Sequence, residues 1–172
     1  MPIVKTEESM FNKRLGSMVI LLVILAFPVS AAMVSIVLVE TGVNDRISTG
    51  QYSSVWEGGL MSAFFDAGHI VTNSPIARIE RKPNPYLSGQ IRAEFNEAIN
   101  GGADYIILGL IEYNTREGMG TPVGIVLKLY DSISEQLIYE QNFPAGPGRS
   151  NNEEYQFAQN AARLIISHLK DR

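Results

Sequence analysis

Residues that could carry out catalysis are scarce in this sequence. Its 172 residues include no cysteine, which excludes disulfides, thiolate metal sites, a cysteine nucleophile and lipidation of an N-terminal cysteine. His69 and His168 lie far apart on differently patterned segments, and neither has a second ligand-type residue at metal-site spacing. Gly101-Gly102 ends a predicted helix instead of following a strand, unlike a phosphate-binding loop. We expect no enzyme activity, and no catalytic, metal or cofactor site.

The residues best suited to contact a partner lie in one irregular segment. Arg78, Arg81 and Lys82 supply three cations, and Tyr86 supplies an aromatic ring. Two prolines between Lys82 and Tyr86 exclude regular secondary structure there. Loops often carry binding residues, and tyrosine and arginine are enriched at protein interfaces. We predict that these four residues contact a partner; the alternative is a solvated connecting loop.

The first 31 residues have the layout of a secretory signal peptide. Lys13 and Arg14 precede an apolar run from residue 18 to residue 27, and Val29-Ser30-Ala31 provides a cleavage site with small side chains. Pro28 disfavours a helix that continues past this site. We therefore predict cleavage after Ala31 and a periplasmic or otherwise exported protein.

An uncleaved membrane anchor is the main alternative. No charge occurs between Arg14 and Glu40, so residues 18–39 are long enough to cross the inner membrane. The N-terminus leaves a second choice open, because Glu7 and Glu8 are unusual in a signal peptide. Translation from residue 10, which is also a methionine, would give a shorter cationic leader.

Residues 32–172 are predicted to form a single α/β domain, because about 140 residues suffice for one hydrophobic core. The formal net charge of −4 comes without a basic stripe, so nucleic acid is not an expected partner. The membrane is an expected contact only through the N-terminal segment, and only if that segment is uncleaved.

Hydrophobic periodicity predicts the order β-α-β-α-β-β-β-α, a mixed sheet with helices on both faces. Residues 105–111 are apolar on both faces, which predicts a central strand. Ser54 with Glu57, and Ser150 with Glu153, predict capping boxes for the first and last helices. Residues 114–120 are predicted to be a loop. The predicted strands are Val34–Glu40, His69–Asn73 with a continuation at Ile76–Ile79, Tyr105–Ile111, Val123–Asp131 and Gln136–Phe143, and the second helix is Gly89–Ile99.

Residues 101–143 resemble a recurrent envelope-protein pattern. Gly102-Ala-Asp-Tyr-Ile-Ile-Leu-Gly109 is followed by Ile125-Val-Leu-Lys-Leu-Tyr-Asp131 and by Glu135-Gln-Leu-Ile-Tyr-Glu-Gln-Asn-Phe143. This pattern is similar to the periplasmic anticodon-binding-like α/β domain of the TolB N-terminal domain, the curli secretion subunit, the penicillin-binding-protein activators and FlgO. The resemblance implies a non-enzymatic envelope binding or assembly module with an envelope protein as its partner.

The resemblance is incomplete, and it leaves other functions open. Many of these relatives are lipoproteins, whereas this chain has no cysteine to lipidate, and it has no hairpin long enough for a curli-type channel. Because the fold carries unrelated functions, two alternatives remain. One is a small-ligand or glycan-binding domain with a cleft beside the strand at residues 105–111, and the other is an enzyme with an unrecognised site.

Overall fold

The computed structural model describes residues 31–80, 89–116, 118–146 and 148–169, which form a six-stranded mixed sheet with helices on both faces. This confirms the predicted α/β fold. The elements are β1 (Met33–Thr41), α1 (Tyr52–Asp66), β2 (Ile70–Asn73), β3 (Ala77–Ile79), α2 (Gly89–Asn100), β4 (Tyr105–Arg116), β5 (Met119–Asp131), β6 (Leu137–Pro144) and α3 (Asn151–Ile166).

The strand order is β2-β1-β4-β5-β6, and β3 pairs with β1 beyond the end of β2. β1 is parallel to β2, β3 and β4, while β5 is antiparallel to both β4 and β6. All strands except β5 therefore end at one edge of the sheet, which we call the carboxyl edge; the opposite edge is the amino edge. The register places Thr41, Ile79, Glu112, Gly124 and Pro144 at the carboxyl edge, and Met33, Ile70, Tyr105, Asp131 and Leu137 at the amino edge.

Two hydrophobic cores fill the space between the sheet and the helices. On one face, α1 and α3 bury a core that includes Trp56, Leu60 and Phe64 of α1. On the other face, Ile91 and Phe95 of α2 are buried against β1 and β4. The predicted helices on opposite faces are therefore confirmed, and the last helix lies beside the first.

The predicted central strand is also confirmed. In β4, Ile107 and Ile111 contribute to the core under α1 and α3, whereas Ile106 and Leu108 contribute to the core under α2. A Cβ atom at Gly109 would collide with the side chain of Leu38 on β1. Close packing against β1 therefore explains why the glycine that ends the Gly102–Gly109 motif stands inside a buried strand.

The predicted capping box of the first helix is wrong. Helix α1 begins at Tyr52, so its N-cap residue is Gln51, three residues before Ser54, and Gln51 makes no side-chain capping hydrogen bond. Ser54 therefore lies inside the first turn, where it cannot act as an N-cap. The second predicted box is confirmed, because the Ser150 hydroxyl accepts from the Glu153 backbone N–H and the Glu153 carboxylate accepts from Ser150.

The predicted loop at residues 114–120 is wrong as well. β4 continues to Arg116 and β5 begins at Met119, so the two strands form a long hairpin that turns at Gly118, whose φ is +77°. Asn114 and Thr115 are exposed. The backbone pairing of β4 and β5 therefore continues beyond the hydrophobic alternation. The alternation ends first because this part of the hairpin extends past the core.

The predicted signal peptide lies in residues 1–31, of which only Ala31 is described. Residues 33–39 form most of β1, which corrects the extent of the alternative anchor: it would have to end before Met33. No helix within the described ranges is both long and apolar enough to cross a membrane.

Candidate functional site

Two clefts open at the carboxyl edge, on either side of the N-terminus of α1, and Thr49 lines both of them. From β1 the chain crosses first to β2 on one side and later to β4 on the other. In open α/β sheets, ligands bind outside the carboxyl ends of the strands where the connections change direction in this way. The clefts at this edge are therefore the first candidates for a functional site.

The first cleft, the polar cleft, has a volume of about 590 Å³. Hydroxyl and charged side chains dominate its lining. They come from the end of β1, the segment before α1, the first turn of α1, and β3. Its polar residues are Glu40, Asp45, Thr49, Ser53, Ser54 and Arg78.

Glu40 is the buried centre of the polar cleft. Its Oε1 accepts a 2.6 Å hydrogen bond from Ser53 Oγ and a 3.4 Å hydrogen bond from the Tyr113 hydroxyl. Its Oε2 accepts from Arg78 Nε at 2.8 Å and from Thr49 Oγ1 at 3.3 Å. A buried carboxylate needs such donors, because losing water without replacement is costly. With these four donors in place, Glu40 joins β1, β3, β4 and α1.

Tyr113 is held in its protonated form beside this carboxylate. Burial is the largest cause that raises the pKa of Tyr113, to about 12, and the hydrogen bond with Ser53 opposes the rise. The negative charge of Glu40 raises the pKa further. The phenol therefore remains a hydrogen-bond donor at neutral pH.

The second cleft, the apolar groove, has a volume of about 560 Å³. It lies between the N-terminus of α1, the first residues of β5 and the segment that joins β6 to α3. Val55, Pro122 and the half-exposed Val123 give it an apolar surface, and Tyr52, Arg149 and Glu154 add polar groups.

A second buried carboxylate supports the apolar groove. Glu154 Oε1 accepts a 2.8 Å hydrogen bond from Trp56 Nε1, and its Oε2 pairs with Arg149 at 3.0 Å. The guanidinium of Arg149 also lies 4.0 Å from the centre of the Phe157 ring. Burial, and next the charge of Glu154, raise the pKa of Tyr52, so its phenol stays protonated.

Prolines limit backbone pairing beside the apolar groove. The β5–β6 ladder ends at the pair Gly124 and Pro144. Two residues further along β5 lies Pro122, which has no backbone N–H. At Gly120 the outer edge of β5 is occupied again, because Gly120 N donates to Ser48 O at 2.8 Å.

Of the four predicted contact residues, the structure places Arg78. It belongs to β3, and its guanidinium binds Glu40 and Thr49 inside the polar cleft. Arg81, Lys82 and Tyr86 lie outside the described residues, so their role as a contact surface stays a prediction.

The sequence analysis did not predict that Glu40 accepts hydrogen bonds from Ser53 and Tyr113. One signal was available: Glu40 is a lone acid at the end of the apolar run Met33–Val39, the place where a parallel strand presents ligand-binding groups. Nothing in the local sequence marks the other two, because they reach Glu40 only through the tertiary fold.

The two histidines occupy separate places. His69 packs against Phe64, and burial lowers its pKa. The ring of His168 stacks on that of Tyr139, with the ring centres 4.1 Å apart. In the part of the chain that the structure describes, no group of three His, Asp or Glu side chains is arranged to hold a metal ion.

No family model matches the sequence, and no curated protein matches it. Several solved structures are similar. A PelC dodecamer from Paraburkholderia phytofirmans has a TM-score of 0.45 and 17% identity, covering 83% of this chain and 90% of that one. TolB from Acinetobacter baumannii has a TM-score of 0.44 and 17% identity, covering 81% of this chain but only 28% of TolB. The C-terminal domain of LpoB from Escherichia coli has a TM-score of 0.41 and 14% identity, with 70% and 87% covered.

At these identities and TM-scores the likeness is too distant to support a function for this chain. TolB is also one of the proteins that residues 101–143 resemble. Membership in that family stays a prediction.

Proposed function

We propose that this chain is a non-enzymatic binding or assembly module of the bacterial cell envelope, and that it holds a protein partner in the apolar groove. The observation that carries the proposal is the composition of that groove. An apolar surface at Val55, Pro122 and Val123 lies open beside charged groups, and an apolar centre with a polar rim is typical of protein interfaces.

The residue types in the groove suit a binding hot spot. Tyrosine and arginine carry much of the energy at protein interfaces, and the groove contains Tyr52 and Arg149. Arg149 is held by Glu154 and by the Phe157 ring. Because these contacts restrict its conformation before a partner arrives, its binding costs less side-chain entropy.

The two buried carboxylates favour binding over catalysis. Glu40 and Glu154 both accept hydrogen bonds or ion pairs from side chains of other elements. A general base must instead accept a proton from a substrate within hydrogen-bond reach. These contacts support a structural role for both residues.

Export is tested with the full chain expressed in a bacterium. We expect the protein in the periplasmic fraction, with an intact mass that corresponds to cleavage after Ala31. Recovery of the uncleaved chain from membranes resistant to carbonate extraction would favour the anchor instead. Recovery from the cytosol would contradict the envelope assignment.

Contact at the groove is tested by photocrosslinking in the same cells. A photoreactive amino acid at Val123 should give a discrete crosslinked band, whereas one at the exposed Ala93 on α2 should not. Replacing Val55 with Glu should abolish the Val123 band, because a carboxylate would be desolvated by the partner. Equal bands from Val123 and Ala93, or a Val123 band unaffected by V55E, would contradict a specific groove contact.

The cationic segment is proposed as a second contact for the same partner. Arg81 and Lys82 would steer an acidic surface, and Tyr86 would anchor it. Arg78 is best left intact in the test, because its loss would leave Glu40 without its ionic partner. Serine at Arg81 and Lys82 should weaken the Val123 crosslink, more so at low salt, because exposed charges are screened within about 10 Å at 0.1 M salt. An unchanged crosslink would leave this segment as a connecting loop.

The polar cleft favours a second candidate function, the binding of a small polar ligand such as a glycan. Asp45, Ser54 and Thr49 offer acceptors and hydroxyls that suit sugar hydroxyl groups. Oligosaccharides of the envelope that bind here should raise the melting temperature of the protein, and the shift should be lost in Asp45→Ala. If the D45A variant retains the shift in melting temperature, the polar cleft is not the binding site.

A further inference from the structure

Exposed apolar side chains collect at the amino edge of the sheet. Ile133 is 82% exposed, Phe65 72%, Ile70 56% and Leu137 47%. These are most of the large apolar residues that are exposed in the described part of the chain. Scattered exposed apolar residues are ordinary, whereas a group on one side of a molecule indicates a contact with another apolar phase.

The strand register places Ile70 and Leu137 at the amino edge, and the other two residues lie in segments next to it. Ile70 pairs with Met33, the first residue of β1. On the other side of the sheet, Leu137 pairs with Tyr130, next to the end of β5. Ile133 follows in the turn between β5 and β6, and Phe65 lies in the last turn of α1, just before β2.

Ile133 is presented by a fixed turn. The Asp131 carboxylate accepts hydrogen bonds from the backbone N–H groups of Ile133, at 3.1 Å, and of Ser134, at 2.8 Å. These bonds define the turn without using the isoleucine side chain. The side chain therefore projects into solvent from an ordered backbone.

The described chain begins at the same edge. The Ile70 N–H donates to the Ala32 carbonyl at 3.0 Å, and the Met33 N–H donates to Asp104 at 2.8 Å. By covalent continuity, the uncharged sequence from Leu15 to Ala31 joins the fold here. A segment of this composition partitions into membranes. The apolar side chains and the junction with that segment thus share one side of the fold.

We propose that, in the uncleaved chain, the amino edge of the sheet lies against a lipid bilayer, with Phe65, Ile70, Ile133 and Leu137 in its interfacial region. Apolar side chains of this size bind at the boundary between headgroups and acyl chains. The proposal does not depend on the apolar groove, which lies at the opposite edge.

The charges at this edge are compatible with such a contact. Asp104 and Asp131 accept backbone hydrogen bonds, and Glu135 pairs with Arg92 of α2. Because apolar side chains make the contact, attraction to anionic lipid is not the driving force. Phosphatidylcholine vesicles should therefore suffice, and association should be insensitive to salt.

The absence of native cysteine makes a site-specific test direct. The full chain carrying Ile133→Cys is synthesised in the presence of phosphatidylcholine vesicles and labelled with a thiol-reactive NBD fluorophore. We expect blue-shifted NBD emission that is quenched by phosphatidylcholine with a doxyl spin label near the headgroup. Matched labels at Ile70→Cys and Leu137→Cys should respond in the same way.

A label at Met119→Cys is the control. Met119 is 64% exposed and lies at the far end of the hairpin, about 36 Å away along the 12-residue strand β4. It should show neither the blue shift nor the quenching. Equal quenching at both sites, or none at Ile133, would overturn the proposal. A blue shift at Ile133 without quenching would also overturn it, because a protein would then cover this edge.

Discussion

Arg78 Nε lies 2.8 Å from Glu40 Oε2, and the two residues face each other directly on the neighbouring parallel strands β3 and β1. The Glu40 side chain is almost fully buried, whereas that of Arg78 is 33% exposed. The ion pair therefore lies in the lining of the polar cleft and links the short strand β3 to the sheet.

Removing the charge of Arg78 alone should lower the free energy of unfolding more than removing the charges of both Arg78 and Glu40. Arg78→Met leaves the buried carboxylate of Glu40 without its ionic partner, and we expect a loss of about 2 kcal/mol in the free energy of unfolding, below the usual 3–5 because Arg78 is partly exposed. The double variant with Glu40→Gln should recover part of this loss. Urea unfolding of the two single variants and the double variant measures the coupling. A fully additive cycle would show that the pair does not stabilise the fold.

Adjacent glycines in α1 should respond in opposite directions to alanine. A Cβ atom at Gly59 would lie 2.7 Å from Ala158 Cβ and 2.8 Å from the Tyr155 carbonyl of α3. Gly59→Ala should force the two helices apart and destabilise the protein by about 1–3 kcal/mol. At Gly58 the nearest atom would be Tyr155 Cε2, at an ordinary 3.4 Å. Gly58→Ala should therefore raise stability by up to ~1 kcal/mol through helix propensity.

Thermal unfolding of both alanine variants provides the check. A lowered melting temperature for both would mean that Gly58 is also needed for the contact between α1 and α3. A raised melting temperature for both would mean that the helices separate easily.

Leu108→Asp should unfold the protein. Leu108 lies in the central strand β4 and is buried under α2, and a buried, unpaired carboxylate costs several kcal/mol, comparable to the stability of a domain. The same change at the exposed Ile133 should alter stability by less than ~0.5 kcal/mol in the absence of lipid. Circular dichroism of the two variants tests this pair, and a folded L108D protein would contradict the two-sided burial of β4.

His69 should make the fold sensitive to mild acid. Burial lowers its pKa below the ordinary value of 6.5, so between these two pKa values the unfolded chain binds more protons than the folded one. Stability should therefore be complete above about pH 7 and fall as the pH drops through 6.5, levelling off below the folded pKa.

Chemical denaturation at pH 7.5 and pH 5.8 measures this loss. His69→Gln should reduce it, because the buried imidazole is then absent. Equal pH dependence in the parent and in H69Q would assign the loss to other groups.

The elements that follow a strong local pattern were predictable from the sequence. Alternating apolar residues in β5 reflect burial that repeats at every second residue from Ile125 to Leu129, and apolar residues on both faces of β4 reflect the burial of Tyr105 to Gly109. The capping box of α3 is local too, because Ser150 and Glu153 satisfy each other's backbone groups. In each case the deciding interaction lies within a few residues, or is repeated along the element.

The parts that could not be predicted depend on distant contacts. Gln51 starts α1 without a side-chain cap, and the hydroxyl of Ser53 binds Glu40 in β1 instead. Glu154 is buried in the first turn of α3 because Trp56 of α1 and Arg149 supply its donors. The hydrogen-bond donors of the two carboxylates could not be predicted, since they are brought together only by the packing of α1 against the sheet and α3.

Pro122 determines how a peptide can be recognised at the apolar groove. A strand added to an open edge draws its affinity from main-chain hydrogen bonds, which every sequence can form. Pro122 has no N–H to donate, and Gly120 on one side of it and Val123 on the other are already bonded, to Ser48 and Ala145. A peptide bound in the groove therefore gains little affinity from main-chain hydrogen bonds, so its side chains must supply the affinity and the specificity. At this stretch of β5 the same arrangement disfavours the strand addition that makes exposed edges prone to aggregation.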